Sequence, residues 1–244
     1  MTEFLIIAGP CAVESEEQMK QVAEFLKKHN IKYLRAGAFK PRTSPTAFQG
    51  LGKEGIEILE NIKHDYNLKI VSELMDTRDI NLFKNIDIIQ IGSRNMQNFP
   101  LLVEAGKTKQ TILLKRHFSA TIEEWIKAAE YIKKQGNNNI IMCARGIRTF
   151  ETETRNTSDI DAIPILKQKG FKIIFDPSHA TGRKDLILPM SKAAIAAGAD
   201  GLMIEVHPSP NKALSDPEQQ LNFNEFEKLL NEIKTYVQIR NLRS

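Results

Sequence analysis

The chain is poor in several features that would narrow its function quickly. It has two cysteines in 244 residues, Cys11 and Cys143, too few and too far apart for a disulfide scaffold. Two free thiols in a reduced compartment are expected. No apolar run is long enough to span a bilayer, and residues 1–10 lack the charged n-region and apolar length of a signal peptide. A cytoplasmic protein with no membrane partner is expected. No G-x-G-x-x-G follows the first apolar run, and neither G-x-x-x-x-G-K-[ST] nor a G-x-S-x-G elbow occurs. Dinucleotide binding, P-loop nucleotide binding and serine hydrolysis are therefore unsupported. The charge excess is small, 34 Lys plus Arg against 30 Asp plus Glu, and no basic stripe with interleaved aromatics exists. Nucleic acid is not an expected partner. Linkers and low-complexity segments are missing too, which predicts one domain over 1–244.

What is present is an alternation of short β-branched runs with amphipathic segments. The runs are FLIIAG (4–9), KYLRAG (32–37), KIVSEL (69–74), IDIIQIG (86–92), TILLKR (111–116), NIIMCAR (139–145), KIIFDP (172–177) and GLMIEV (201–206). Helix candidates are 15–29, 52–66, 121–135, 184–197 and 224–238, with capping boxes expected at Ser15/Gln18 and Thr121/Glu124. Eight strand–helix units in this length predict an α/β fold, a single (β/α)8 TIM barrel, with an open doubly wound sheet as the alternative. A barrel collects its chemistry at the C-terminal strand ends.

Those ends carry charge around the full circuit. Arg35, Lys40, Arg42, Arg94, Lys115, Arg116 and Arg145 are all expected to face one mouth. Seven cations in one cleft repel unless anions neutralise them, and phosphate and carboxylate suit the arginine fork. A ligand with more than one anionic group follows. The segment AFKPRTSP (38–45) places Arg42, Thr43 and Ser44 between Pro41 and Pro45, with Lys40 just before the first proline, a stiff anion-holding loop. Cys11, His179, Glu205 and Asp216 follow the first, seventh and eighth runs, which a closed barrel makes neighbours. A thiolate, an imidazole and two carboxylates suit a divalent metal such as Mn, Fe, Co or Zn; a plain buried thiol is the alternative for Cys11. Cys143, Trp125 and Phe150 are read as packing residues, and His29, His64, His117 and His207 as solvated or hydrogen-bonded.

Seven blocks then carry a resemblance: AGPCAVES (8–15), AFKPRTSPTAFQGLG (38–52), QIGSRNMQNFPLL (90–102), LLKRHFSATIEEW (113–125), RGIRTFE (145–151), DPSHATGR (176–183) and EVHP…LSDPEQQL (205–221). In this order they resemble the 3-deoxy-D-arabino-heptulosonate 7-phosphate synthases, in the smaller subfamily related to octulosonate-phosphate synthases. The resemblance implies condensation of phosphoenolpyruvate, D-erythrose 4-phosphate and water in aromatic amino acid biosynthesis, with a required divalent metal. It implies Cys11, His179, Glu205 and Asp216 as metal ligands. Arg94, Lys115 and Arg145 would hold phosphoenolpyruvate, with Arg35 and Lys40 closing around it. Arg42 and Thr43 would take the sugar phosphate. Lys40 or a metal-bound water is expected to move protons, with Glu73 as a possible partner.

The sequence departs from the usual pattern at Ser93, Ala144, His117–Phe118 and Thr46–Ala47. None of these removes an expected ligand or clamp, so the chemistry should stand while substrate affinity is open to change. An octulosonate-phosphate synthase using arabinose 5-phosphate is the nearest rival, and KPRTSP in place of a K-A-N-R-S-S loop argues against it. A non-catalytic polyanion binder is the rival from another class, and it has no need of the metal quartet. With a first strand at about residue 4, neither an N-terminal regulatory domain nor a chorismate mutase domain is expected, nor feedback inhibition through one. The family resembled is generally homo-oligomeric, so a dimer or tetramer is expected.

Overall fold

The computed structural model describes residues 3–242. Eight parallel strands close in sequence order into one barrel: β1 (Leu5–Gly9), β2 (Tyr33–Arg35), β3 (Lys69–Glu73), β4 (Ile88–Ile91), β5 (Thr111–Lys115), β6 (Ile140–Ala144), β7 (Lys172–Phe175) and β8 (Gly201–Glu205). Closure is made by β1 against β8, with Leu5 opposite Gly201 and Gly9 opposite Glu205. This excludes the open sheet. Helices cover the outside: α1 (Glu16–Lys28), α2 (Lys53–Tyr66), α3 (Phe99–Gly106), α4 (Ile122–Lys133) and α5 (Ala162–Gln168), then, after a short α6 (Pro177–Thr181) at the C-terminal end of β7, α7 (Lys184–Ala196) and α8 (Phe223–Leu242). Between β3 and β4 the connection is a 3-10 helix, Thr77–Phe83.

Strand alternation sorts the side chains into two shells. Leu5, Ile7, Val71, Ile88, Leu113, Ile141, Cys143, Ile174 and Met203 fill the barrel interior as one apolar cluster. The alternate positions pack outward against the helices in a second, larger cluster. In α1, Met19, Val22, Ala23 and Leu26 are buried at helical spacing, with Glu16 and Glu17 in the first turn and Lys27 and Lys28 in the last. Ser15 caps this helix through the Gln18 N–H, but the expected reciprocal half fails because the Gln18 amide turns to Glu14 N and Ala12 O instead. The box at Thr121/Glu124 is complete. Trp125, on α4, is fully buried and donates its indole N–H to Leu114 O at 3.2 Å, which pins the helix to β5. Truncation to alanine there is expected to cost about 3–5 kcal/mol.

Phe150 is not a packing residue: it is 97% exposed in the loop after β6. A G-x-G-x-x-G does occur, at residues 50–55, but it opens α2 after the second strand rather than following the first. Gly50 sits at φ 90°, and a Cβ there would lie 2.2 Å from Ala38 O, so this glycine serves close packing of the loop.

Candidate active site

In β3 to β8 the inward row starts apolar at the N-terminal end and finishes polar at the C-terminal end. Val71 leads to Glu73, Ile88 to Gln90, Leu113 to Lys115, Cys143 to Arg145, Ile174 to Asp176 and Met203 to Glu205. Side chains two apart share a face, so each row carries its last member to the barrel mouth. A cleft of about 320 Å³ opens there. Ten expected site residues line it: Arg35, Lys40, Arg42, Thr43, Glu73, Arg94, Lys115, Arg145, His179 and Asp216. Cys11 and Glu205 lie fully buried beneath it.

Arg116 does not belong to this set. It stands one residue beyond Lys115, on the opposite face of the strand, and points into the outer shell. There its guanidinium pairs with Asp159 at 2.5 Å and donates to Ala120 O. Ala144 also faces outward into the outer cluster, so its replacement of glutamate leaves the cleft wall untouched. Of the other departures, Ser93, Ala47 and Phe118 line the cleft.

The charge at the mouth is lopsided. Eight Lys or Arg side chains and two carboxylates line the cleft, the extra cations being Arg148 and Arg155 from the loop after β6. Some cations are paired: Arg35 with Glu205 at 2.6 Å, Lys115 with Asp176 at 2.5 Å, and Arg155 with Asp216 at 3.5 Å. Arg94, Arg145 and Arg148 have no carboxylate within 4 Å among the described residues. Arg145 is 6% exposed with its Nε buried and unpartnered. Burial, and then the nearby Arg155, bring its guanidinium down to about 10. An anion is what such a group lacks.

Loop 38–45 supplies the next layer. Lys40 is buried and donates its Nζ to Cys11 Sγ and Cys11 O, each at 3.0 Å. A Cβ on Gly37 would lie 2.8 Å from the Lys40 side chain, so the missing side chain makes room for it. Arg42 donates to Ser215 Oγ at 2.7 Å and lies 3.8 Å from Asp216. Thr43 is exposed at the rim. Ser44 is a turn residue, its hydroxyl 2.8 Å from that of Thr46. Glu73 is held by Gln90 Nε2 at 3.1 Å and folds over Gly92, where a Cβ would strike Glu73 Oε1.

Donor atoms of Cys11, Glu205 and Asp216 lie within 4.8 Å of one another. His179 is not part of that tight group, but its Nε2 is 3.5 Å from Glu205 Oε1. Its Nδ1 lies 2.8 Å from Asp176 Oδ2. Burial brings the His179 imidazole down to about 4, against the pull of Asp176 and Glu205, so it is neutral at pH 7. Burial raises the Glu205 and Asp216 carboxyls, yet His179 with Arg35 at the first, and His179 with Arg155 and Lys40 at the second, leave both below the usual range. Burial and then Glu205 push the Cys11 thiol up to about 12. Two carboxylates, a neutral imidazole and a thiol that a cation would deprotonate fit a divalent transition metal. His207, by contrast, is fully engaged with Glu14 and Ser209 N.

Fold and site together define a (β/α)8 barrel enzyme whose cation-rich cleft, beside a candidate metal centre, suits multiply charged anions. The chain belongs to the DAHP synthetase I family, whose model matches residues 2–239. It is 52% identical over 233 residues to phospho-2-dehydro-3-deoxyheptonate aldolase of Thermotoga maritima, covering 95% of this chain and 69% of that protein. A crystal structure of the Thermotoga maritima DAHP synthase superposes with a TM-score of 0.94 at 50% identity, covering 98% of this chain and 70% of that one. More distant is the 2-dehydro-3-deoxyphosphooctonate aldolase of Desulfotalea psychrophila, 29% identical across 94% of this chain and 88% of that protein.

Proposed function

We propose that this chain condenses phosphoenolpyruvate with D-erythrose 4-phosphate and water, giving 3-deoxy-D-arabino-heptulosonate 7-phosphate and phosphate, the first step of the shikimate pathway. The observation that carries this reading is the set of acid-free arginines, Arg94, Arg145 and Arg148, facing a cleft floored by Cys11, Glu205 and Asp216. Two phosphorylated substrates need two cation clusters. Arg94, Lys115 and Arg145 hold the phosphate and carboxylate of phosphoenolpyruvate, with Arg35 and Lys40 behind them. Arg42 and Thr43 take the phosphate of the aldose. Lys40 and Arg42 stand on either side of Pro41, so one stiff segment sets the distance between the substrates. That supplies in advance the alignment of a bimolecular step.

Cys11, His179, Glu205 and Asp216 would hold a divalent metal of the Mn, Fe, Co or Zn class. Bound there, it supplies Lewis-acid polarisation of the aldehyde that the enol phosphate attacks. Lys40, already an ammonium donor toward Cys11, is the proposed proton carrier, a metal-bound water being the alternative, with Glu73 at the end of the neighbouring strand as its partner. Near-normal turnover in Lys40→Met would remove Lys40 from that role. The finer reading adds a cytoplasmic location and a homo-oligomer, dimer or tetramer, which light scattering tests.

The deciding experiment is phosphate release from phosphoenolpyruvate with each aldose, with and without EDTA. Release is expected with erythrose 4-phosphate, and chelation is expected to abolish it. Release with arabinose 5-phosphate alone would make the chain an octulosonate-phosphate synthase. Release with neither would leave a polyanion binder.

A further inference from the structure

Two adjacent glutamines close the segment LSDPEQQL, and no role in the condensation has been given to either. Gln219 is 2% exposed and Gln220 fully buried, an unusual depth for two amides in a row. Each uses both ends of its amide. Gln219 Nε2 donates to Glu205 Oε2 at 2.6 Å, while its Oε1 accepts from Arg155 at 2.8 Å. Gln220 Oε1 accepts from Cys11 N at 2.9 Å, while its Nε2 donates to Ser215 O at 2.8 Å. The charged neighbours fix which way the Gln219 amide faces: nitrogen to the carboxylate, oxygen to the guanidinium.

We propose that Gln219 is a positioning residue of the metal centre, orienting the Glu205 carboxylate, with Arg155 as its anchor. The inference rests on the metal reading of Cys11, Glu205 and Asp216. Gln219 occupies Oε2 of Glu205, so the carboxylate cannot rotate about its axis without breaking a buried hydrogen bond. Its Oε1, which also accepts from Arg35 at 2.6 Å, is left 3.5 Å from His179 Nε2. Arg155 fastens the same unit from the other loop, reaching Asp216 at 3.5 Å as well as Gln219. One guanidinium therefore ties the loop after β6 to Asp216 directly and to Glu205 through Gln219. Asp216 itself sits in the left-handed region at φ 49°, a conformation that the surrounding loop must hold for a non-glycine residue. Ligands steered in this way gain affinity for the ion because their geometry is set before it arrives.

The test is a titration of the metal-free full-length chain with Co2+, reading the thiolate-to-cobalt absorption band that Cys11 would produce. Gln219→Met keeps the bulk and removes both hydrogen bonds. It is expected to weaken Co2+ binding roughly 10- to 100-fold. Arg155→Met acts one bond further out and is expected to weaken it about 3- to 10-fold. The thermal midpoint of each metal-free variant provides a structural readout, expected to stay near that of the parent. Parental Co2+ affinity in folded Gln219→Met overturns the inference. If that variant fails to fold, parental affinity in Arg155→Met overturns it. No thiolate band in the parent chain would instead remove the metal reading beneath it.

Discussion

At the N-terminal end of the barrel, Asp200 accepts from Lys167 and Arg240 at 2.6 Å each and from Ile173 N at 2.9 Å. At the C-terminal end, Arg145 is just as deeply placed, yet no carboxylate lies within 4 Å of it among the described residues. The first arrangement is closed: every charge has its opposite, and the contacts join α5, α8 and β7. Asp87 repeats the pattern at the same end, with Lys63 on one oxygen and Ile70 N on the other. The second arrangement is open, because its cations were placed before their anions. Buried charge at one end therefore fastens the helices to the barrel, while at the other it keeps a cleft ready for a ligand.

Breaking the closed end should produce the largest effect. Asp200→Ala leaves Arg240 buried without its carboxylate and is expected to lower stability by about 3–5 kcal/mol. The specific activity of the folded fraction should not change. Denaturant unfolding followed by assay of the surviving protein checks both. Arg145→Met should do the opposite. It is expected to cost about 3 kcal/mol of transition-state stabilisation, roughly a hundredfold in kcat/KM for phosphoenolpyruvate. Its stability should equal or exceed that of the parent, because an uncompensated buried charge is gone. An Arg145→Met protein that is both inactive and unstable would mean that the two ends do not differ as argued.

Much of this contrast was readable in the sequence. Eight β-branched runs gave the strands to within two residues at either end, and their polar last members marked the mouth. The same period-2 rule places Arg116 on the wrong face, because a strand cannot send Lys115 and its neighbour to one side. Counting it among the mouth cations ignored parity, not missing information. Arg148, Arg155 and the two glutamines are a different matter. They lie in the loops at 145–161 and 206–222, which have no hydrophobic period, and their positions depend on contacts made only once the barrel has closed. RGIRTFE and LSDPEQQL marked those loops as informative, but nothing in them says which side chains turn inward. Phe150 shows the converse: an aromatic in such a loop is not thereby packed.

Phe118 tests how the open end holds its loose cations. Its ring lies 4.4 Å from the Arg148 guanidinium, and its carbonyl accepts Arg148 N at 2.7 Å. The ring thus supports a cation that has no acid beside it. Phe118→Leu keeps the backbone bond and removes a contact of about 0.5–1 kcal/mol. The KM of one phosphorylated substrate is expected to rise roughly twofold to fivefold with kcat unchanged. An unchanged KM for both substrates would show that Arg148 needs no such support.

The smallest effect is also the most direct reading of the surplus charge. Partial burial, then Arg145 and Arg148, hold His117 below its ordinary value of 6.5; Arg94 adds to this and Glu124 opposes it. The folded protein thus favours neutral imidazole, and between the depressed value and 6.5 it binds fewer protons than the unfolded chain. Stability from this group is present above that window and is lost as pH falls through it. An anionic ligand in the cleft offsets the arginines, so phosphoenolpyruvate should raise the His117 pKa. By linkage, its affinity should then rise as pH falls through the same window. An NMR titration of the His117 ring with and without phosphoenolpyruvate measures the shift, and His117→Asn should flatten the pH dependence of binding. Identical titration curves with and without ligand would mean that the anion sits elsewhere, and that the mouth arginines are not what it neutralises.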